Sequence, residues 1–439
     1  MTHDLDVAVV GAGPAGSAAA ILLARQGYHV GLIDKATFPR DKACAECMSP
    51  AVAGILNRLG VLERVEAEHP AHLLGFDIYA PGGQVFRGEY GGIAAPDGRY
   101  HRHALALPRS IFDHLLIAQA RSEGVELFEG TRLQAYQVER VCSRQVAVNA
   151  TVLTAQPALV SRSLGDSLPA APHAPGERKT GRSTTTLRVR LLVAADGVHS
   201  MIARRMGAHR PSTRQRKIAL VTHMRGIRDL GVYGELHVGR GLYAGLAPLE
   251  PPEIGDLCNV SIVVDERESK YLAGRVEDYF DESLQTFRAL APRLQDARRT
   301  KGLLAISRLA VTARRFSADG VMLVGDATGF YDPFTGEGIY RALRGAELLA
   351  DVAGAALADG DCSAARLSAY DRLHHHEFAG KRLVEHIVQG MVARPWLSNR
   401  VASRLARSKR LADTMIGVTG DFLPPSRVLS PFFMARLVL

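Results

Sequence analysis

The chain has 439 residues, 47% of them apolar, which is long enough to bury two domains and ordinary for a globular protein. Five cysteines, an odd number, argue against a secreted disulfide scaffold, and with no apolar run of membrane-span length and no basic leader before the first strand a cytoplasmic protein is expected. A net charge of +9 invites an anionic partner, but a single tryptophan leaves no aromatic stacking platform interleaved with the basic residues, so nucleic acid is not expected.

In chain order, the apolar run 5–10 predicts a strand, followed by Gly11-Ala12-Gly13-Pro14-Ala15-Gly16 and a helix-compatible stretch at 18–24. Gly11 permits the tight turn, Gly13 lets backbone approach a pyrophosphate, and Gly16 lets the helix pack on the strand; Pro14 and Ala15 open the helix, whose free N–H groups suit phosphate. A second strand over 29–33 ends at Asp34, whose carboxylate can accept both hydroxyls of an unphosphorylated ribose, as in FAD or NAD, with Lys35 beside it as a further nucleotide contact. Such a glycine turn also arises for structural reasons alone; the flanking strand, helix and acid favour the dinucleotide.

Next come Pro39-Arg40-Asp41-Lys42-Ala43-Cys44-Ala45-Glu46-Cys47-Met48-Ser49-Pro50 and a strand over 75–80 entering the turn Pro81-Gly82-Gly83. Cys44 and Cys47 form a Cys-x-x-Cys, yet Cys142, Cys258 and Cys362 are isolated, so no zinc or other metal site is expected. Arg109 stands just before a helix in Leu107-Pro108-Arg109-Ser110; anion binding and an ordinary salt bridge are both open to it. Residues 156–186 turn polar and aperiodic, the pattern of a mobile insertion in a hairpin.

A third strand, 191–195, ends in Asp196-Gly197. Beyond it, strand candidates at 218–224, 233–238 and 259–264, then a helical stretch at 276–290, suggest an antiparallel substrate sheet. The run Val321-Met322-Leu323-Val324 leads into Gly325-Asp326, and Pro333-Phe334-Thr335-Gly336-Glu337-Gly338-Ile339 opens another helix. Asp326 can accept from a ribityl hydroxyl, and the helix beginning near Gly336 can aim N–H groups at a flavin pyrimidine, where negative charge develops on reduction. Glu46 and Glu337 could serve as acid or base near that ring, or simply cap helices. Helical patterns follow at 340–357, 364–389 and 397–415; within them His374-His375-His376 reads as a solvated helix face rather than a metal site. Basic residues from Lys381 to Arg436 and the apolar end Pro431-Phe432-Phe433-Met434 leave two readings, a peripheral contact with an anionic membrane or docking of the tail on its own domain.

With these residues in view, the chain resembles the FAD-dependent oxidoreductase superfamily of geranylgeranyl reductases and single-component aromatic hydroxylases, over about the first four-fifths of its length. The segment around Cys44-Ala45-Glu46 resembles the reductase branch's stretch beside the isoalloxazine ring. The resemblance implies an α/β fold: a discontinuous Rossmann-type FAD-binding domain (1–74, 105–205, 301–358), an antiparallel-sheet substrate domain (75–104, 206–300) and a C-terminal helical region (359–439). It implies FAD contacts at Ala15, Asp34, Cys44, Ala45, Cys47, Arg109, Leu133, Asp326, Gly338 and Ile339, beside Gly11, Gly13, Pro14, Gly16, Lys35, Asp196, Gly325 and Gly336 from the glycine-and-acid signatures. Cys44 is the candidate catalytic residue, able to tune the ring, relay a proton or pair with Cys47, with packing as its plain alternative.

Two enzymatic readings follow. In one, NAD(P)H reduces the flavin and a lipophilic aromatic or polyketide-like substrate is hydroxylated through a hydroperoxyflavin; in the other, a prenyl double bond is saturated. The Cys-Ala-Glu segment favours reduction. The small residues of Gly241-Leu242-Tyr243-Ala244-Gly245, where reductases carry bulky aromatics, favour hydroxylation, and the balance tips that way. The Trp-x-Trp-x-Ile-Pro segment of tryptophan-type halogenases is missing too, and with no second glycine fingerprint NAD(P)H would bind only transiently or a protein donor would replace it. A third reading, a prenyl or lipid escort on the same fold, is disfavoured by the intact Asp326 and Gly336-Glu337-Gly338. Substrate identity, nicotinamide preference and oligomeric state stay open.

Overall fold

The apolar run before the glycine turn forms strand Val7–Val10, buried at all four positions, in the interior of a six-stranded sheet. The computed structural model describes residues 2–98, 102–142, 144–155, 182–211, 217–268, 271, 274–307, 309–330, 332, 334 and 336–438. Across the sheet the order is Ser317–Ala318, Val321–Leu323, Leu191–Ala194, Val7–Val10, Val30–Ile33 and Glu126–Phe128. Every pairing is parallel except that of the edge strand Ser317–Ala318. Continuous apolar strands are what a parallel sheet covered on both faces requires. Val7 and Val9 point into a core shared with helices Pro14–Arg25, Arg109–Ser122 and Gly338–Ala358, whereas Ala8 and Val10 point into a second core. That second core lies against a four-stranded sheet built from Thr2–Asp4, Arg182–Val189, Val146–Ala155 and Thr131–Arg140.

The polar segment 156–186 divides. Residues 156–181 lie outside the described residues, but 182–186 belong to strand Arg182–Val189, paired antiparallel with Val146–Ala155. Thr184, Thr185 and Thr186 are polar but β-branched, so the stretch that polarity assigns to the insertion takes extended backbone.

A larger sheet forms the second body. Its neighbours in order are Arg298–Arg299, Lys217–Arg225, Cys258–Asp265, Leu242–Pro248, Gly234–Val238, Gly75–Tyr79 and Val85–Glu89, with Leu304–Ile306 also on Lys217–Arg225. All pairings are antiparallel except Gly234–Val238 with Gly75–Tyr79. Leu242–Pro248 is not among the expected strands because Gly245 and Pro248 interrupt its alternation. One face packs on helix Val276–Gln285 through Phe280 and Leu284. Phe86 and partly buried Phe76 and Ile78, from the strand pair at its far edge, pack against the C-terminal helices.

Those helices are Ala364–Val392, Pro395–Ala406, Lys409–Thr419, Ser426–Leu429 and Pro431–Val438. The single helix expected over 397–415 is therefore two, broken at Arg407 and Ser408, where Ser408 takes extended backbone (φ −141°, ψ 93°). The triple histidine also departs from expectation: His375 and His376 are exposed, but His374 is buried against Phe316, Tyr370 and Phe378. Helical spacing turns one of three consecutive residues inward. Among the described residues no helix is long and apolar enough to cross a membrane.

Candidate active site

Two glycines of the turn are sterically required. A Cβ on Gly11, which has φ +105°, would lie 2.3 Å from the carbonyl oxygen of Ala195, and one on Gly16 would lie 1.8 Å from that of Gly11. Gly13 differs: a Cβ there would meet nothing closer than the Nη2 atoms of Arg109 and Arg40, each at 3.8 Å. The backbone is thus bare toward a cationic pocket at the N-terminus of Pro14–Arg25. Asp34 steadies the turn, its Oδ2 accepting the Ala12 N–H at 2.7 Å and its Oδ1 the Ala36 N–H at 2.9 Å. Lys35 is exposed and stands outside the cavity described below.

Three cations surround Gly13 and its neighbours. Arg109 is 4% exposed and holds Asp113 bidentately at 2.7 and 2.8 Å; Arg40 reaches the same carboxylate at 3.3 Å. Burial and then the charge of Arg109 push the Lys42 ammonium down, while Asp326 opposes that shift. Asp113, fully buried, is shared by two guanidiniums and Arg40 also reaches Asp34 at 3.9 Å, so three cations face two carboxylates, an excess that suits a pyrophosphate. Both readings of Arg109 therefore meet: it makes a salt bridge, and the bridge presents its guanidinium to the cavity. Arg40 and Lys42 escaped the sequence reading; their only signal was a place in the segment before Cys44.

One cavity of about 310 Å³ joins this pocket to the larger sheet. Gly13, Pro14, Ala15, Gly325 and Asp326 line its nucleotide end, and Cys44, Ala45, Cys47, Gly336, Gly338 and Ile339 line the stretch beyond. Pro333 and Thr335 lie outside the described residues. Five other candidates do not line it: Gly11, Gly16 and Asp34, which build the turn itself, and Leu133 and Asp196. The Leu133 side chain is buried between the six-stranded and four-stranded sheets, and the Asp196 Oδ2 accepts the Met201 N–H at 2.9 Å at the start of helix Met201–Arg205, although Ala195 and Gly197 on either side do face the cavity. Burial pushes the Asp196 carboxyl up.

The Cys44–Cys47 segment is clamped from behind. Glu46 is 1% exposed in left-handed backbone (φ 59°). Its Oε1 accepts the Arg109 N–H at 2.8 Å, and its Oε2 accepts Asn259 Nδ2 at 2.8 Å and meets His223 Nε2 at 2.5 Å. His223 and Asn259 are register partners on adjacent strands, and Asn259 Nδ2 also donates to the Cys44 carbonyl at 2.8 Å. One carboxylate thus ties the segment to Arg109 and to two strands of the larger sheet. His223 and Asn259 gave no local signal in the sequence, lying 177 and 213 residues away. Both cysteines are free, and burial, then Cys44, push the Cys47 thiol up to about 12, so it stays protonated. Cys44 Sγ accepts the Glu46 N–H at 3.3 Å.

Past the cysteines the cavity runs between the larger sheet and the C-terminal helices. The sheet side is mostly apolar, with Phe76, Ile78, Val221, Leu236 and Val263, and sets among them Asn259, Ser261, Glu235 and Tyr243, whose hydroxyl donates to Asp332 at 2.6 Å. Glu235 is held by Arg293 at 2.7 Å and His237 at 2.9 Å. The helix side is apolar, with Val388, Met391, Val401, Ala402, Leu405 and Ile416.

Residues 4–153 and 171–382 match a family model described as an FAD binding domain. The chain is 29% identical over 362 residues to conditioned medium factor receptor 1 of Dictyostelium discoideum, covering 78% of this chain but only 62% of that protein, so it spans about three fifths of that relative's length. It is 28% identical over 381 residues to digeranylgeranylglycerophospholipid reductase 1 of Methanothermobacter thermautotrophicus, covering 86% of this chain and 84% of that protein. Among solved structures a myxobacterial chondrochloren halogenase matches with a TM-score of 0.73 at 18% identity, over 99% of this chain and 95% of that one, a likeness of fold.

Proposed function

We infer the function from one premise: the chain belongs to the family of the FAD binding domain, a family of FAD-dependent oxidoreductases. Gly13, Arg40, Lys42 and Arg109 would hold the pyrophosphate and the Cys44–Cys47 segment with Gly338 and Ile339 the ring end, while Asp34, whose oxygens already accept the Ala12 and Ala36 N–H groups, would use its remaining lone pairs on the ribose. When bound, FAD supplies a two-electron carrier, and the protein supplies position, electrostatics and exclusion of water.

We propose that the enzyme is a monooxygenase, taking electrons from NAD(P)H and hydroxylating a lipophilic aromatic or polyketide-like substrate with molecular oxygen. The observation that carries this reading is a largely apolar chamber that can cover a carbon skeleton while Asn259 Oδ1, buried without a partner, stands ready to accept a hydrogen bond from a substrate hydroxyl. A bare hydrocarbon chain would leave that oxygen buried without a donor, which is costly. The test is oxygen uptake coupled to NADH or NADPH oxidation. A rise on adding a phenolic substrate is expected; reduced enzyme that is inert to oxygen yet saturates a prenyl chain overturns the assignment.

That second outcome is the alternative reading, prenyl reduction, and a specific observation favours it: Cys44, a thiol facing the cavity beside the ring segment, is placed to give a proton to a reduced alkene carbon. Escort of a lipid without chemistry is the third; the cationic cradle around Gly13 supports the enzyme against it, and a purified protein that is colourless and free of FAD would favour the escort. We also propose a peripheral contact of the basic C-terminal region with anionic membranes, from which a lipophilic substrate would enter.

A further inference from the structure

Behind the ring end lies a cluster of buried charge that the functions above leave unused. Glu337 is the residue immediately before helix Gly338–Ala358, 3% exposed, and its Oε2 has no hydrogen-bond partner. Asp421 and Glu385 are its acidic neighbours, Lys381 and Arg341 its basic ones. The cations are committed elsewhere. Lys381 is paired with Asp421, which also accepts from Ser49 Oγ at 2.5 Å, and Arg341 is paired with Glu385 at 3.1 Å. Further out, Asp332 is held by Lys217 at 2.5 Å and by Tyr243, and His386 bears on Glu385. Three carboxyls thus share two cations in the inner cluster, leaving one negative charge too many; Glu385 Oε2 also lacks a hydrogen-bond partner, but its Oε1 is paired with Arg341, so Glu337 is the one without a counter-ion.

A small cavity of about 10 Å³, room for a single water, is lined by Glu337, Glu385, Arg341 and Asp332 together with Asp326 and Gly338. Asp326 and Gly338 also line the large cavity, so the cluster and the ring end share a wall. A buried carboxylate oxygen with no donor facing it is strongly disfavoured; a proton turns the same oxygen into a donor.

We propose that Glu337 stands as a neutral carboxylic acid at the N-terminus of helix Gly338–Ala358, leaving that helix end unopposed to receive negative charge from the reduced ring. Burial, and then the Asp421 carboxylate, push its titration well up, in agreement with the geometry. An ionised Glu337 would cancel the helix's positive end and repel the reduced cofactor. Glu337 is thus a positioning residue of the electrostatic kind, setting how readily the cofactor takes electrons. This rests on the FAD reading above.

The test is the midpoint potential of the holoprotein against pH for the wild type and Glu337→Gln, a neutral isostere. The two should coincide at pH 7, with the wild type falling below the variant at alkaline pH as Glu337 ionises. A variant potential already higher than wild type at pH 7 overturns the proposal, because Glu337 would then have been an anion. Infrared spectra give an independent reading that does not need FAD. A protonated-carboxyl band present at pH 7 in the wild type should vanish in Glu337→Gln and persist in Glu385→Gln; a band unchanged in Glu337→Gln overturns the proposal. Should Glu337→Gln fail to fold, the wild type and Glu385→Gln still decide, since no such band at pH 7 in either is incompatible with a neutral Glu337. A protein without FAD sinks the cofactor reading while leaving the infrared result standing.

Discussion

At the helix start, a Cβ on residue 16 would sit 1.8 Å from a backbone oxygen, and no side-chain rotation relieves a clash with backbone. Gly16→Ala must therefore move the turn away from the first helix and spoil the cradle at Gly13. FAD content of the purified protein, read from its visible absorbance relative to protein, should fall at least tenfold; retention of full colour would refute the steric argument. Arg109 offers a different kind of test. Arg109→Met leaves Asp113, fully buried, with Arg40 alone at 3.3 Å, and removing one partner from a buried pair typically costs about 3–5 kcal/mol. A marked loss of thermal stability should accompany loss of FAD, whereas an unaltered melting temperature would make Arg109 a purely cofactor-facing residue. His374 ties a residue to pH. Burial first, then nearby Arg341, lower it from the ordinary 6.5 to about 2, and its Nδ1 has no partner. The unfolded chain takes up a proton below pH 6.5 that the fold refuses until about 2, so this stability is complete above 6.5 and drains away as pH falls through that window. The slope cannot exceed about 1.4 kcal/mol per pH unit. Urea midpoints at pH 7 and 5 should therefore drop more in the wild type than in His374→Phe, and equal drops would show that His374 ionises freely in the fold.

Elements were legible where local geometry dictates local sequence. The glycine turn imposes positive φ and close backbone approach on particular positions, and the buried parallel strands impose continuous apolar runs, so both are written in a few adjacent residues. The clamp on the Cys44–Cys47 segment is written nowhere locally: Glu46, His223 and Asn259 meet only because register pairs two strands of the second sheet beneath a loop of the first body. Leu133 and Asp196 lie off the cavity lining that motif position suggests for them: the Leu133 side chain packs in a core, and one Asp196 oxygen accepts the Met201 N–H. The break at Ser408 carries neither proline nor glycine, so periodicity ran through it. That break matters for function, because it lets Pro395–Ala406 and Lys409–Thr419 each present a short apolar face to the chamber. Ala402, 3% exposed, is the smallest residue of the first face. Ala402→Trp should fill the chamber without touching the nucleotide end: FAD content unchanged, substrate-stimulated NAD(P)H oxidation abolished. If stimulation by substrate survives intact, the substrate binds elsewhere.

Seen as a whole, the molecule keeps its excess positive charge close to its chamber. Helix Pro395–Ala406 lines the chamber with Val401, Ala402 and Leu405, while Trp396, 66% exposed, and Arg400 stand on its outer side. Phe432, 73% exposed, belongs to the helix Pro431–Val438 whose Phe433 and Leu437 share a core with Val401 and Leu405, and the Arg436 guanidinium lies 5.6 Å from its ring centre. Exposed aromatics beside arginines favour a lipid surface, because the rings gain by entering the headgroup boundary while the cations meet anionic phosphates. Neither term suffices alone: one aromatic side chain contributes about 1.5–3 kcal/mol when fully buried, and each basic residue about 1 kcal/mol near an anionic surface. The combination predicts co-sedimentation with vesicles containing phosphatidylserine and little with pure phosphatidylcholine. Salt should release the protein, since screening shortens from about 10 Å at 0.1 M to about 3 Å at 1 M. Trp396→Ser with Phe432→Ser should weaken binding at least tenfold while leaving its salt dependence, because that dependence belongs to the arginines. Failure to sediment with anionic vesicles even at low salt would mean that the basic face is merely solvated, and that a lipophilic substrate reaches the chamber through water or from a carrier.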